Sequence, residues 1–369
     1  MFDREIPYND LPLLPPQEQI ENDTDILKKL VIASRALASV NTNVLRLPNP
    51  LMLINTISLQ EAKTSTEIEN IFTTEDELYK AISDHRREEM TDPATKEVLR
   101  YREALWAGYN AIREKQKIDI QLMIDIFRQI KNTNAGIRPP HALVVIKKGD
   151  SEFGSGQTIY TPPRGNGIPE KLLENLENYL NDDQTFPIDP LIKMCIGHYQ
   201  FEAIHPFQDG NGRTGRVLNL LLLNHKKLLS YPVLFHSKYI ILNKDEYYHR
   251  LGAVTQRQDW KNWILFMLNA IEKTSILTNE LIDAIIDQME ATLVYAKTMF
   301  TWYNKDLNEL IFSQPYLKQK TFSQVLAKSS RTTLTKYLAQ LTESKILHQV
   351  KDGKEVYYLN NELLRILGS

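Results

Sequence analysis

Cysteine is nearly missing from this chain: Cys195 is alone among 369 residues. A single thiol cannot build an intrachain disulfide framework, and the composition suits a reducing compartment. An excess of either charge is also missing. Lys and Arg number 44 against 46 Asp and Glu, a net charge of −2, so a nucleic acid or membrane would have to be met by a local patch. Long apolar runs are absent, since VLNLLLL at 217–223 is far too short to span a bilayer. The opening MFDREIPYNDLPLLPP has no basic stretch followed by an apolar one and does not read as a signal peptide. These absences predict a cytoplasmic protein with no membrane partner. No G-x-x-x-x-G-K-[ST] and no H-E-x-x-H occurs, which excludes a Walker loop and the usual helix-borne zinc pair. What remains is 42% hydrophobic and 24% charged, the balance of a chain with a sizeable core and room for two or three domains.

Periodicity predicts a mainly α architecture. Pro7, Pro12, Pro15 and Pro16 make residues 1–20 an extended arm. From about Asp23 to Asp125, apolar residues recur at helical spacing, and Ser58-x-x-Glu61 reads as a capping box opening a helix. ALVVI at 142–146 and QTIY at 157–160 flank turn chemistry and predict a hairpin over 142–162. Helical pattern resumes at 168–181 and 188–203, then from about Gly212 to Leu229 and from Lys244 to Tyr303. Past about Lys305 the pattern becomes a helix, a helix–turn–helix and a final hairpin turning at Asp352-Gly353. That order predicts a winged helix.

Residues 205–216, HPFQDGNGRTGR, concentrate the chemistry. Gly210, Gly212 and Gly215 satisfy G-x-G-x-x-G, but a dinucleotide fold needs a strand before them and an acid about 20 residues on. Here IKMCIGHYQFEAI precedes with helical spacing and SYPVLFHSKYI follows without an acid, so that reading fails. A zinc site on His198, His205 and Asp209 is interrupted by Pro206. An anion suits the pattern better. Gly210-Asn211-Gly212 lets the backbone approach closely, and the helix beginning there directs free N–H groups at a phosphate. Arg213 and Arg216 lie one turn apart and can clamp one polyanion. Asp209 is placed to hold Mg²⁺ against phosphate oxygens, and His205 can take a proton from an attacking hydroxyl.

The same residues resemble the Fic-domain signature H-x-F-x-[D/E]-G-N-G-R-x-x-R at every fixed position. YNDLPLLPP, the hairpin before TPP and the C-terminal winged helix are similar to the long, single-chain bacterial Fic proteins. The resemblance implies a Fic-type helical bundle with a hairpin flap. The activity it implies is AMP transfer from ATP, with Mg²⁺, to a Tyr, Ser or Thr hydroxyl of a protein, the chain itself included. It makes His205 the general base and Asp209 the metal ligand. It places ATP on the run Gly210, Asn211, Gly212, Arg213, Thr214, Gly215 and Arg216, with Arg216 reaching the γ-phosphate. Tyr248, within YY at 247–248, resembles the adenine-lining stretch, or is an aromatic packed in the core. Ser65-x-x-x-Glu69-Asn70 resembles the family's inhibitory motif; four residues apart, Ser65 and Glu69 share a helix face. The hairpin resembles the flap that docks a target protein by strand addition.

The implied division is an N-terminal helical region over 1–110 with an inhibitory helix at about 58–72, a catalytic core over 111–275, a connecting helix over 276–304 and a winged helix over 305–369. The reading allows a homodimer. Two alternatives stay open: a DNA-binding regulator working through residues 305–369, where Lys and Arg exceed Asp and Glu by nine to six from Asp306 on, and a Fic enzyme that transfers phosphate or removes AMP.

Overall fold

A computed structural model describes residues 2–18, 20–47, 49–83, 91–148, 157–326 and 330–368. The chain is mainly helical, as its periodicity predicts. Helix α1 (Thr24–Val44) starts on Asp23, whose carboxylate accepts from the amides of Asp25 and Ile26. It lies against the later long helix Trp260–Met299, with Lys29 paired to Glu272 and Arg46 to Asp283.

Helix α2 runs Pro50–Ile68 and corrects the expected start near residue 58. Pro50 takes the first turn, where a missing N–H costs nothing. Ser58-x-x-Glu61 is therefore no capping box: Ser58 bonds back to Asn55 O within the helix, and Glu61 is buried. The short pattern misled because α2 is buried on most sides. Its polar residues face partners in the fold instead of marking a boundary.

Helices α3 (Glu75–Ser83), α4 (Pro93–Lys115) and α5 (Ile120–Lys131) follow. Asp92 and Asp119 cap the last two through their carboxylates. The hairpin is shorter than expected. Strand β1 is Ile146–Lys148 and β2 is Gln157–Tyr160, antiparallel, with Ile146 opposite Tyr160. Residues 142–145 are not strand, and the expected turn falls at 149–156, outside the described residues. The N-terminal arm straps the flap's base: Tyr8 N donates to Thr161 O at 3.0 Å, and the Tyr8 ring packs edge-on to Tyr160.

Two helices then carry the signature between them, α6 (Ile168–Asn181) packing beneath: α7 (Pro190–Ile204) and α8 (Asn211–His225). Helix α8 ends near His225, short of the expected Leu229. After α9 (His236–Leu242) and α10 (Lys244–Arg257), α11 (Trp260–Met299) spans the molecule. The C-terminal region runs α12 (Lys305–Ile311), β3 (Tyr316–Lys318), α13 (Gln319–Val325), α14 (Arg331–Glu343), β4 (His348–Asp352), β5 (Glu355–Leu359) and α15 (Asn361–Leu367). Its sheet order is β3-β5-β4. Strand β3 is absent from the sequence reading: three residues after a proline carry too little alternation to be seen.

Candidate active site

Helix α7 ends at His205, which adopts a left-handed conformation (φ 49°), and α8 begins after Gly210 (φ 78°). Glycine suits such a backbone; histidine there must be held by its surroundings. Asn211 staples the loop between them. Its side-chain oxygen accepts from Phe207 N and its amide donates to Phe207 O, each at 2.9 Å. The Phe207 ring stacks on Phe127 at 4.1 Å. The Asn211 side chain is thus buried and holds the loop, leaving the expected anion nest to the backbone.

His205 Nδ1 lies 3.3 Å from the carbonyl of Glu202. A carbonyl only accepts, so Nδ1 carries the proton and Nε2 keeps its lone pair. Burial pushes the ring down to about 4; the Glu202 carbonyl opposes that, and the Arg138 cation adds to it. His205 is therefore neutral near pH 7.

The charges around the loop are arranged in two groups. In one, Arg216, 1% exposed, donates from Nε to Ser65 Oγ at 2.8 Å, and from Nη2 to Ser65 O at 2.9 Å and Glu69 Oε1 at 2.8 Å. Glu69 Oε1 also lies directly over Gly212, where a Cβ would collide with it. Burial would raise this carboxyl, but Arg216 outweighs burial and holds it below its usual range. In the other group, Arg213 pairs with Glu97 and reaches Asp209 at 3.4 Å, while Lys131 bridges Asp209 at 2.7 Å and Glu97 at 3.1 Å.

Glu69 is the residue on which α2 stops, and Asn70 after it has φ 59°. Gly or Asn takes that conformation most readily, so the position after the glutamate is fixed by backbone geometry. Lys244 Nζ fastens the end, donating to Ile68 O at 2.6 Å and Asn70 Oδ1 at 3.3 Å.

Tyr248 stands beside this group, packed edge-on against Tyr247, and burial raises its hydroxyl, with Glu69 adding to the shift. Thr214 and Gly215 have neighbours within the fold. Thr214 Oγ1 bonds to Gly210 O inside α8, and Gly215 gives room to Glu202 and Phe201 of α7. The family resemblance places ATP along the run that holds both residues.

Several residues went unnoticed in the sequence. Arg138, 3% exposed, donates from Nε to His205 O at 2.8 Å. Glu61 accepts from Ser237 N at 2.8 Å and from the Ser237 hydroxyl, and burial pushes it up to about 7. Glu202 is pushed up to about 8 by burial, and its Oε1 has no hydrogen-bond partner among the described residues. Each comes from a separate element, so no local pattern marks them.

Three family models match the chain in succession. Residues 27–110 match the Fic/DOC family N-terminal model, 116–223 the Fic/DOC family model, and 285–363 the C-terminal domain model described as Protein adenylyltransferase SoFic-like. Among curated proteins, Protein adenylyltransferase Fic of Drosophila grimshawi is 34% identical over 113 residues, 30% of this chain and 22% of the relative. Protein adenylyltransferase fic-1 of Caenorhabditis elegans is 46% identical over 59 residues, 15% of this chain and 12% of the relative. The chain thus matches about a fifth or less of those relatives' lengths. Among solved structures, a Fic family protein from Desulfovibrio desulfuricans aligns at TM-score 0.54 and 20% identity, covering 94% of this chain and 98% of the other. A variant fragment of Fic-1 from C. elegans aligns at 0.51 and 19%, covering 69% and 72%. These two likenesses bear on the fold alone. With its signature loop, its three successive model matches and this fold, the chain belongs to the Fic/DOC family.

Proposed function

We propose that the protein is an adenylyltransferase that moves AMP from ATP to a hydroxyl of a protein side chain, and that Glu69 restrains it. The observation that carries this reading is the Glu69 carboxylate lying over Gly212 and on Arg216. A carboxylate bound at a helix N-terminus with a buried guanidinium marks that place as one built for an anion. A triphosphate would use the same donors, with the γ-phosphate taking the carboxylate's place on Arg216.

In the reaction the hydroxyl oxygen attacks the α-phosphorus, the bond from that phosphorus to the α–β bridging oxygen breaks, and pyrophosphate leaves with the electron pair. The hydroxyl proton passes to His205 Nε2, the nitrogen left free to accept by the Glu202 carbonyl. A bound triphosphate adds negative charge beside the ring and raises its basicity. Asp209 fits Mg²⁺: its hard-oxygen carboxylate is 65% exposed at the rim and is bridged by the Lys131 ammonium, so positive charge is already stabilised there. The ion would neutralise charge on the departing pyrophosphate. Tyr248 would border the base, and the hairpin would align the target by strand addition.

The test is incubation with Mg²⁺ and ATP labelled at the α-phosphate. Label on the protein, lost in His205→Ala with ATP affinity retained, supports the reading. Label carried only from the γ-phosphate would assign phosphate transfer, and release of AMP from labelled protein would assign the reverse reaction.

A second reading concerns the C-terminal region. The order helix, strand, two helices and two strands fits a winged helix, with Arg331, Thr332 and Lys336 exposed on α14. Duplex DNA binding measured across salt concentrations decides it, because phosphate contacts impose a steep slope.

A further inference from the structure

A helix leaves its last four carbonyls without intrahelical partners, and at the end of α7 each of these can be traced. Phe201 O accepts from His205 N, and Glu202 O from the His205 ring. Ala203 O accepts from the Tyr160 hydroxyl at 2.8 Å and Ile204 O from Arg138 Nη2 at 3.3 Å. The accounting then continues past the helix. His205 O accepts from Arg138 Nε at 2.8 Å, and Pro206 O from Arg138 N at 2.9 Å. Arg138 Nη2 also donates to Pro163 O, just beyond β2.

Arg138 is buried, and among the described residues every side-chain hydrogen-bond partner it has is a backbone carbonyl. A guanidinium taken out of water normally meets a carboxylate. This one is instead held by a helix C-terminus, where a cation is favoured by the dipole. Its planar fork reaches two sides at once: the left-handed residue that carries the imidazole and the base of the flap. Tyr160, the last residue of β2, reaches the same helix end.

We propose that Arg138 is a positioning residue for His205: it fixes the strained turn that presents the imidazole and locks that turn to the base of the flap. The proposal rests on His205 being the base. Its consequence is that the hydroxyl delivered by the flap and the nitrogen that receives its proton share one rigid mount. Small displacements between such groups cost large factors in rate.

The charged groups that face the His205 ring are Arg138 from the flap base, Glu69 from α2 and Asp209 from the loop. Arg138 is the one among them that disfavours the protonated ring. Its loss should raise the ring's basicity, whereas a lysine in its place, which keeps the charge, should leave it unchanged.

The test uses the full chain carrying Glu69→Gly, with transfer of α-labelled AMP measured against ATP concentration and pH. Arg138→Met is expected to lower kcat by about 100-fold with KM for ATP unchanged, and to move the acid limb of kcat to higher pH. Arg138→Lys keeps the charge and loses the fork. Its kcat should fall less, with the acid limb left in place. An unchanged kcat in Arg138→Lys and Arg138→Met overturns the proposal, as does a fall with the limb unmoved in a Met variant that melts like its parent. Should Arg138→Met not fold, Arg138→Lys decides alone: a lower kcat at unchanged KM supports the proposal and wild-type kcat overturns it. His205→Ala in the same background separates the two readings, because label persisting there removes the base itself.

Discussion

On the proposed function, Glu69 and the outer phosphate of ATP would compete for one guanidinium. Arg216 is buried and already donates to Ser65 Oγ, Ser65 O and Glu69, so it has little left for a γ-phosphate while α2 stays in place. Nucleotide bound in that state would have its phosphates displaced from the line of attack. Glu69→Gly should raise self-labelling by about 100-fold, read with α-labelled ATP. Glu69→Gln keeps the shape and loses the charge, and its gain should be smaller. Arg216→Ala should stay inactive in either background. The buried Glu61 supplies a separate prediction. Burial raises its folded value from 4.5 to about 7, so its stability contribution is full below about pH 4.5 and drains away as pH rises through about 7. Glu61→Gln should flatten that part of the stability curve. Above pH 7 it should unfold at higher denaturant than the parent, by a difference of order 1–3 kcal/mol.

At the scale of elements, legibility followed how local each signal is. The signature loop was readable because its glycines, its asparagine and its arginines act within one turn and one helix start. Ser65 and Glu69, four apart on α2, were marked by the family resemblance and not by their spacing alone. The start of α2 was not readable, since Ser58 and Glu61 imitate a cap while answering to Asn55 and Ser237. Arg138 was invisible because its partners are carbonyls at residues 163, 204 and 205, brought together only by folding. The loop also carries a prediction. Asn211→Ala removes both bonds to Phe207 and leaves a buried N–H and C=O unpaired. Stability should drop by about 1–3 kcal/mol and transfer should fall with it. Asn211→Asp keeps the acceptor for Phe207 N alone and should fall between, as denaturant unfolding of the three proteins would show.

The whole molecule raises the question of how α2 could ever let go. Its neighbours on one side, α4 and α9, belong to the core that must persist for catalysis. On the other side its contacts lead outward to the C-terminal region. Thr56 Oγ1 donates to Ser313 O at 3.0 Å, and Gln60 Nε2 donates to the Tyr79 hydroxyl of α3 at 2.7 Å. Tyr79 in turn stacks on Tyr316 of β3 with ring centres 5.9 Å apart. The Tyr316 hydroxyl donates to Asp76 at 2.7 Å, and Lys80 pairs with Asp352 at 3.0 Å. A contiguous set of packed and bonded side chains thus joins the helix bearing Glu69 to the last domain, the physical requirement for one to bias the other. The triple variant Thr56→Val, Tyr316→Phe, Asp352→Asn removes three of these bonds with little change of shape. Amides of α2 should then exchange faster with solvent, since local opening becomes easier. Self-labelling should rise several-fold, short of the Glu69→Gly level, and the triple change should add nothing once Glu69 is gone. Faster exchange without a gain in labelling would mean that α2 opens away from Arg216 without freeing it. A gain that persists on top of Glu69→Gly would mean that the C-terminal domain acts on the catalytic core by another route.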